Sequence, residues 1–210
     1  MFKDKLLQRY VGAIAALAII SLLSSWTGLP SLHEIYNSWD GFLWGMADPV
    51  LAFDKFVSIL AIGLLAIGKM RVRWIATTLI CANIFGTLIY LLQINLPFTE
   101  IAIAIVSIAF GLLLIISKQP NLLTLLIVTA IAGSLQGYFN SGSIIGAGIM
   151  PSVMYIFGAA LTQYAVVMSV SQIYTQVSQA ELLNILPKKI SLVGFAICAL
   201  GLVSLKTWIN

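Results

Sequence analysis

The sequence predicts an all-α fold: a polytopic transmembrane helical bundle of about seven spans, in one domain, with its N-terminus in the cytoplasm. Three observations carry this expectation. The first is composition. Of the 210 residues 60% are hydrophobic and 9% charged, where a soluble domain has about 25% charged residues, and the mean hydropathy is +1.04. So few polar side chains cannot cover a water-facing surface, and lipid must cover most of it. The second is the length of the apolar runs, which are continuous rather than alternating. A membrane β-barrel would alternate in pieces of about ten residues and is excluded. The third is where lysine and arginine fall.

A helix needs about 20 apolar residues to cross roughly 30 Å of hydrocarbon. The predicted spans are 10–29, 49–68, 72–94, 97–117, 121–139, 150–175 and 189–208. Lys3, Lys5 and Arg9 precede the first. A basic start and apolar core also describe a cleaved signal peptide, but Leu22-Leu23-Ser24-Ser25-Trp26 offers no A-x-A site, which favours a retained anchor. Gly68-Lys69-Met70-Arg71-Val72-Arg73 separates the second and third spans, Asn95-Leu96-Pro97 the third and fourth, and Lys118-Gln119-Pro120-Asn121 the fourth and fifth. Asn140-Ser141-Gly142-Ser143 opens the gap before the sixth, and Pro187-Lys188-Lys189 comes just before the seventh.

With the N-terminus inside, every basic residue between spans is cytoplasmic, and the opposite loops (30–48, 95–97 and 140–149) contain no lysine or arginine. This is the positive-inside pattern. Only Lys206 lands outside, and Lys55 sits within span two. The expected location is a bacterial-type inner (plasma) membrane or an equivalent internal membrane. The net charge of +4 sits in short clusters that set topology, so nucleic acid is not an expected partner. Trp26, Trp39, Trp44, Trp74 and Trp208 lie near span ends, as an interfacial belt does.

Enzyme chemistry finds no support. There is no P-loop, no dinucleotide fingerprint and no Ser/His/Asp set, since His33 is the only histidine. Cys81 and Cys198 lie in separate apolar stretches and read as small apolar side chains, not as a disulfide or zinc framework. No cofactor is expected.

Polar residues at membrane depth are costly, so they mark a site or an internal ion pair. Asp48, Asp54 and Lys55 gather at the outer half of span two, and Glu100 begins span four. Gln136 and Asn140 end span five, while Gln163 and Tyr164 lie deeper in span six. On one continuous helix Trp44, Asp48 and Lys55 share a face, with Asp54 turned about 100° from Lys55. Pro97 is expected in the first turn of span four, with Glu100 near that helix N-terminus. Two readings stand side by side. One is a cation-binding vestibule, with Asp48, Asp54, Glu100 and Asn140 as the metal-ligating candidates. The other is a set of interhelical bonds fixing the bundle, including an ion pair of Lys55 with Asp48 or Glu100. Small residues such as Gly63, Gly86, Gly111, Gly133, Gly158 and Ala160 suit close helix packing.

Three segments carry a family resemblance. Gly41-Phe42-Leu43-Trp44-Gly45-Met46-Ala47-Asp48-Pro49-Val50-Leu51-Ala52-Phe53-Asp54-Lys55, continuing to Gly63, resembles the HupE/UreJ signature G-F-x-H-G-x-x-H-P-x-x-G-x-D-H and its following apolar run. Leu96-Pro97-Phe98-Thr99-Glu100 with Ile103-Ala104 resembles the family's L-P-x-x-E-x-x-I-A. Gln136-Gly137-Tyr138-Phe139-Asn140 resembles its H-G-Y-A-H, and Met150-Pro151 with Tyr155-Ile156-Phe157-Gly158 resembles its later L-P and Y-x-x-G-F run. The resemblance implies a small membrane protein associated with nickel and cobalt uptake for hydrogenase and urease. Trp44, Asp48, Lys55, Gln136 and Asn140 stand where that family carries histidine. Imidazole suits nickel and cobalt, whereas carboxylate and amide oxygens suit harder ions. The implied function is therefore a permease-like protein, its partner a divalent cation, with metal selectivity altered or lost. The alternative is a non-transporting subunit or assembly factor of a larger membrane complex.

Overall fold

The computed structural model describes residues 2–27, 34–66, 72–116, 120–178 and 186–209. Among them the chain is all-helical: α1 (Phe2–Thr27), α2 (Ser38–Leu51), α3 (Phe53–Leu65), α4 (Val72–Leu91), α5 (Thr99–Ile115), α6 (Leu122–Asn140), α7 (Ile149–Ser178) and α8 (Leu186–Ile209). A short 3₁₀ turn, Ser141–Ile144, extends α6. By length and composition, α1, α4, α6 and α7 are each able to cross a membrane alone, and 101–115 and 190–206 are shorter apolar helices. Large apolar side chains such as Phe85, Leu112, Ile131, Phe157 and Phe195 face outward. That outward apolar surface suits lipid, and the chain is an integral membrane protein.

The largest departure from the sequence expectation is at 38–51. That stretch was expected to be mostly outer loop followed by the start of one continuous span. It is instead a helix of 14 residues, separated from α3 by Ala52 in extended conformation (φ −83°, ψ 110°). Local chemistry explains both ends. Asn37 caps α2 by accepting from the backbone N–H groups of Trp39 and Asp40, each at 2.9 Å. Pro49 cannot donate to the carbonyl four residues back, which weakens the last turn and favours the break. The freed N–H of Phe53 then finds the Ser25 hydroxyl of α1 at 3.2 Å. Lys55 consequently lies on a different helix from Asp48.

A smaller difference concerns Pro97. It lies in the turn before α5, not in its first turn, and Phe98 (φ 61°) leads into the helix.

Three helix pairs dominate the packing, and glycine lets each approach closely. The α2–α3 segment runs parallel to α7: Gly41 backs onto the Pro151 carbonyl, Gly45 onto that of Tyr155, and Gly63 onto Val170. Helices α4 and α6 are also parallel, with Leu79 against Gly133 and Asn83 against Gly137. Helix α5 is antiparallel to α8, since Ile108 meets Gly201 whereas Leu114 meets Gly194. Helix α3 sits at the centre, its Phe56, Ile59, Ala61 and Ile62 fully buried.

These approaches set a test. A methyl group on Gly45 would lie 2.0 Å from the Tyr155 carbonyl oxygen, and one on Gly137 would lie 1.9 Å from that of Asn83. Gly45→Ala and Gly137→Ala should each destabilise the protein by about 1–3 kcal/mol. Gly12→Ala, with nothing within 4 Å, should leave stability equal or slightly raised. Unfolding of the detergent-solubilised variants measures all three.

Candidate functional site

The break between α2 and α3 places two opposite charges inside the bundle. Asp48 lies in the last turn of α2 and Lys55 in the first turn of α3, and both are buried. Neither is favoured by its own helix. A carboxylate sits badly at a helix C-terminus and an ammonium badly at an N-terminus. Their stabilisation must come from neighbouring elements.

The end of α6 supplies it for the lysine. Lys55 Nζ donates to Asn140 Oδ1 and stands 4.4 Å from the centroid of the Phe139 ring, within cation–π range. Helix α7 and the 3₁₀ turn supply it for the carboxylate. The Tyr155 hydroxyl donates to Asp48 Oδ2 at 2.5 Å, and the Ser143 hydroxyl lies 3.4 Å from the same oxygen. The Asn140 carbonyl is 3.4 Å from the Tyr155 hydroxyl, so the two halves of the network meet at Asn140. Ser141 holds that corner by donating to the Gly137 carbonyl at 2.6 Å. Asp48, Lys55, Asn140, Ser141, Ser143 and Tyr155 are all buried, and Phe139 is half-buried.

Of the expected site residues, the structure brings together Asp48, Lys55 and Asn140. Asp54 is exposed in the first turn of α3, outside this buried network. Glu100 is the second residue of α5, and its side chain lies outside the described residues, as do Lys69, Arg71 and Lys118. Trp44 is half-buried beside Tyr155. Gln136 is buried one turn before Asn140 on α6. Among the described residues no three His, Cys, Asp or Glu side chains converge as a metal cluster would.

Three contributors had no assigned role in the sequence: Tyr155, Ser143 and Phe139. Tyr155 and Phe139 lie within the segments that resemble the family but are not histidine positions, and Ser143 belongs to the polar Asn140-Ser141-Gly142-Ser143 stretch that opens a loop. Chemically the arrangement offers an amide oxygen and one aromatic face to Lys55 Nζ, and two hydroxyl groups to the neighbouring Asp48 carboxylate.

Near the same end, α4, α6 and α7 leave a cleft of about 710 Å³ lined by Tyr90, Gln93, Asn95, Tyr138 and Ser152 among apolar neighbours. Tyr138 packs edge-on against Tyr90 at 5.1 Å and accepts from the Leu96 N–H at 3.1 Å. This anchors the 92–98 turn over the bundle. Deeper in α7, Gln163 is fully buried with neither amide atom hydrogen-bonded, whereas its neighbour Tyr164 is exposed.

A family model described as HupE / UreJ protein matches residues 10–204, nearly the whole chain. Comparison with curated proteins and with solved structures gives no match.

The buried amide of Gln163 makes a stability prediction. An unpaired buried amide costs about 1–3 kcal/mol, so Gln163→Met, which keeps the volume and removes the polar atoms, should stabilise the protein by about that amount. Thermal unfolding in detergent checks it, and a loss of stability would show that the amide is held by a partner after all.

Proposed function

Because this chain belongs to the HupE/UreJ family, a nickel/cobalt transporter-like family of membrane proteins, we propose that it is a permease-like protein whose selectivity for those metals has been altered or lost. The observation that carries this reading is the buried Lys55 ammonium on Asn140. Where the resemblance places imidazoles, this pocket offers one carboxylate, amide and hydroxyl oxygens, and a fixed positive charge. Oxygen donors suit hard cations better than nickel or cobalt. The ammonium also repels a divalent ion and neutralises the carboxylate that would hold it. Metal-ligand roles for Asp48, Asp54, Glu100 and Asn140 belong to this proposal. So does the ion pairing of Lys55 with Asp48, the acid that lies in the same buried network.

The proposed topology is seven crossings with α2 and α3 counted as one discontinuous span, and the N-terminus in the cytoplasm. Supporting it, α4 and α6 are parallel with one helix between them in sequence, and α3 and α7 are parallel with three. An odd number of intervening helices gives that result when each helix crosses once. The basic residues supply the orientation. Discontinuous helices that bring polar termini to an interior site are a recurrent device of membrane transporters. Alkaline phosphatase fusions should be active when joined after residues 37, 95 and 145, and inactive after 69 and 118. The reverse pattern would invert the topology.

The same lysine also favours a second reading, a non-transporting subunit or assembly factor that kept the bundle and filled the former site. Uptake separates the two. Cells carrying the protein should accumulate nickel, cobalt or manganese above the empty vector, Asp48→Asn should abolish the difference, and Lys55→His should raise nickel uptake about tenfold, the scale of one recovered ligand interaction. If wild type and Lys55→His both equal the vector for all three metals, the permease reading is lost. Co-purification of a membrane partner in mild detergent would then support the subunit reading.

A further inference from the structure

The Lys55 pocket has a more specific chemistry than that of a lost metal site. Its contacts to the ammonium are an amide oxygen, Asn140 Oδ1, and the face of the Phe139 ring. A ring face has no lone pair to coordinate a metal, but its quadrupole attracts a compact organic cation. An ammonium also has three donors to distribute among oxygen acceptors, which a metal lacks. The acid of the same buried network is Asp48, oriented by Tyr155 at 2.5 Å and by Ser143 at 3.4 Å. Four elements, α2, α3, α6 and α7, therefore build one enclosure around a single monovalent cation. The cation is delivered on a side chain whose stem is itself buried.

We infer that this pocket is an ammonium-type cation site that the chain fills with its own Lys55, and that shortening Lys55 opens it to a free primary alkylammonium ion. The inference rests on reading the Asp48–Asn140 network as a cation site. It requires no flux, and its test is made on purified protein, so a failure of uptake in cells and a failure here are distinguishable.

Lysine cut back to alanine loses three methylenes and the ammonium, which together are n-propylammonium. Lys55→Ala should therefore unfold at lower temperature in detergent than the wild type. n-Propylammonium chloride should restore it saturably, with a rise in Tm of about 5 °C. The neutral isostere 1-propanol, sodium chloride and nickel chloride should not, and the wild type should not respond to propylammonium. Adding Phe139→Leu to Lys55→Ala should weaken the apparent propylammonium affinity about tenfold, as expected for loss of a desolvated cation–π contact. Equal rescue by 1-propanol would mean simple cavity filling and would overturn the inference. A larger rise with nickel than with propylammonium would overturn it in favour of a divalent site. Should Lys55→Ala yield no folded protein, a second pair of variants decides. Lys55→Met leaves Asp48 without its counter-charge and should be less stable than Lys55→Met combined with Asp48→Asn. Equal stability of the two would overturn the inference.

Discussion

Burying the Lys55 ammonium in the first turn of α3 sets the main constraint on this end of the bundle. A charge removed from water costs several kcal/mol unless it is paired and hydrogen-bonded, and here the helix dipole adds to the cost. The response is distributed over the chain. Helix α6 must end where Asn140 and Phe139 reach the ammonium. Helix α2 must stop short of α3 so that Asp48 can lie inside without sharing the α3 backbone. Helix α7 must pass close enough for Tyr155 to hold that carboxylate. The 3₁₀ turn follows from the same requirement, because it brings Ser143 back to Asp48.

Such a network needs backbones that approach closely, and the glycines make this geometrically available. Gly41 and Gly45 bring α2 against α7 immediately before Asp48, and Gly133 and Gly137 bring α6 against α4 immediately before Asn140. Both helices thus carry glycine, glycine and an acidic or amide side chain at positions i, i+4 and i+7. The small residues lie on the packing face, and the polar residue follows on the same stripe one turn later. Close packing and site position are in this way a single property of the sequence pattern.

Much of this was legible before the structure. Asp48, Lys55 and Asn140 could be picked out because charges and amides are expensive at membrane depth, and they do meet. A shared face on one helix was expected for Asp48 and Lys55, but the helix is broken at Ala52. They are brought together through neighbours on α6 and α7. Pro49 was the available signal for that break, but a proline in a membrane helix is compatible with either a kink or an interruption. Tyr155 and Phe139 were hidden for a different reason. An aromatic residue in an apolar run has the same hydropathy whether it faces lipid or a charge.

What the sequence determined by itself was the solvent and the kind of element. Lipid must cover a chain this apolar, and in lipid the backbone must satisfy its own hydrogen bonds, which leaves helices. The spacing of charged residues further confined polar chemistry to a few positions. What only the tertiary structure decided was the partner of each polar group: Lys55 with Asn140 and Phe139, Asp48 with Tyr155 and Ser143, and Asp54 outside the network. Hydropathy and helical periodicity fix how deep a residue lies and which way it points on its own helix. They carry no information about which other helix stands opposite, and that is set by the packing of backbones across Gly41, Gly45, Gly133 and Gly137.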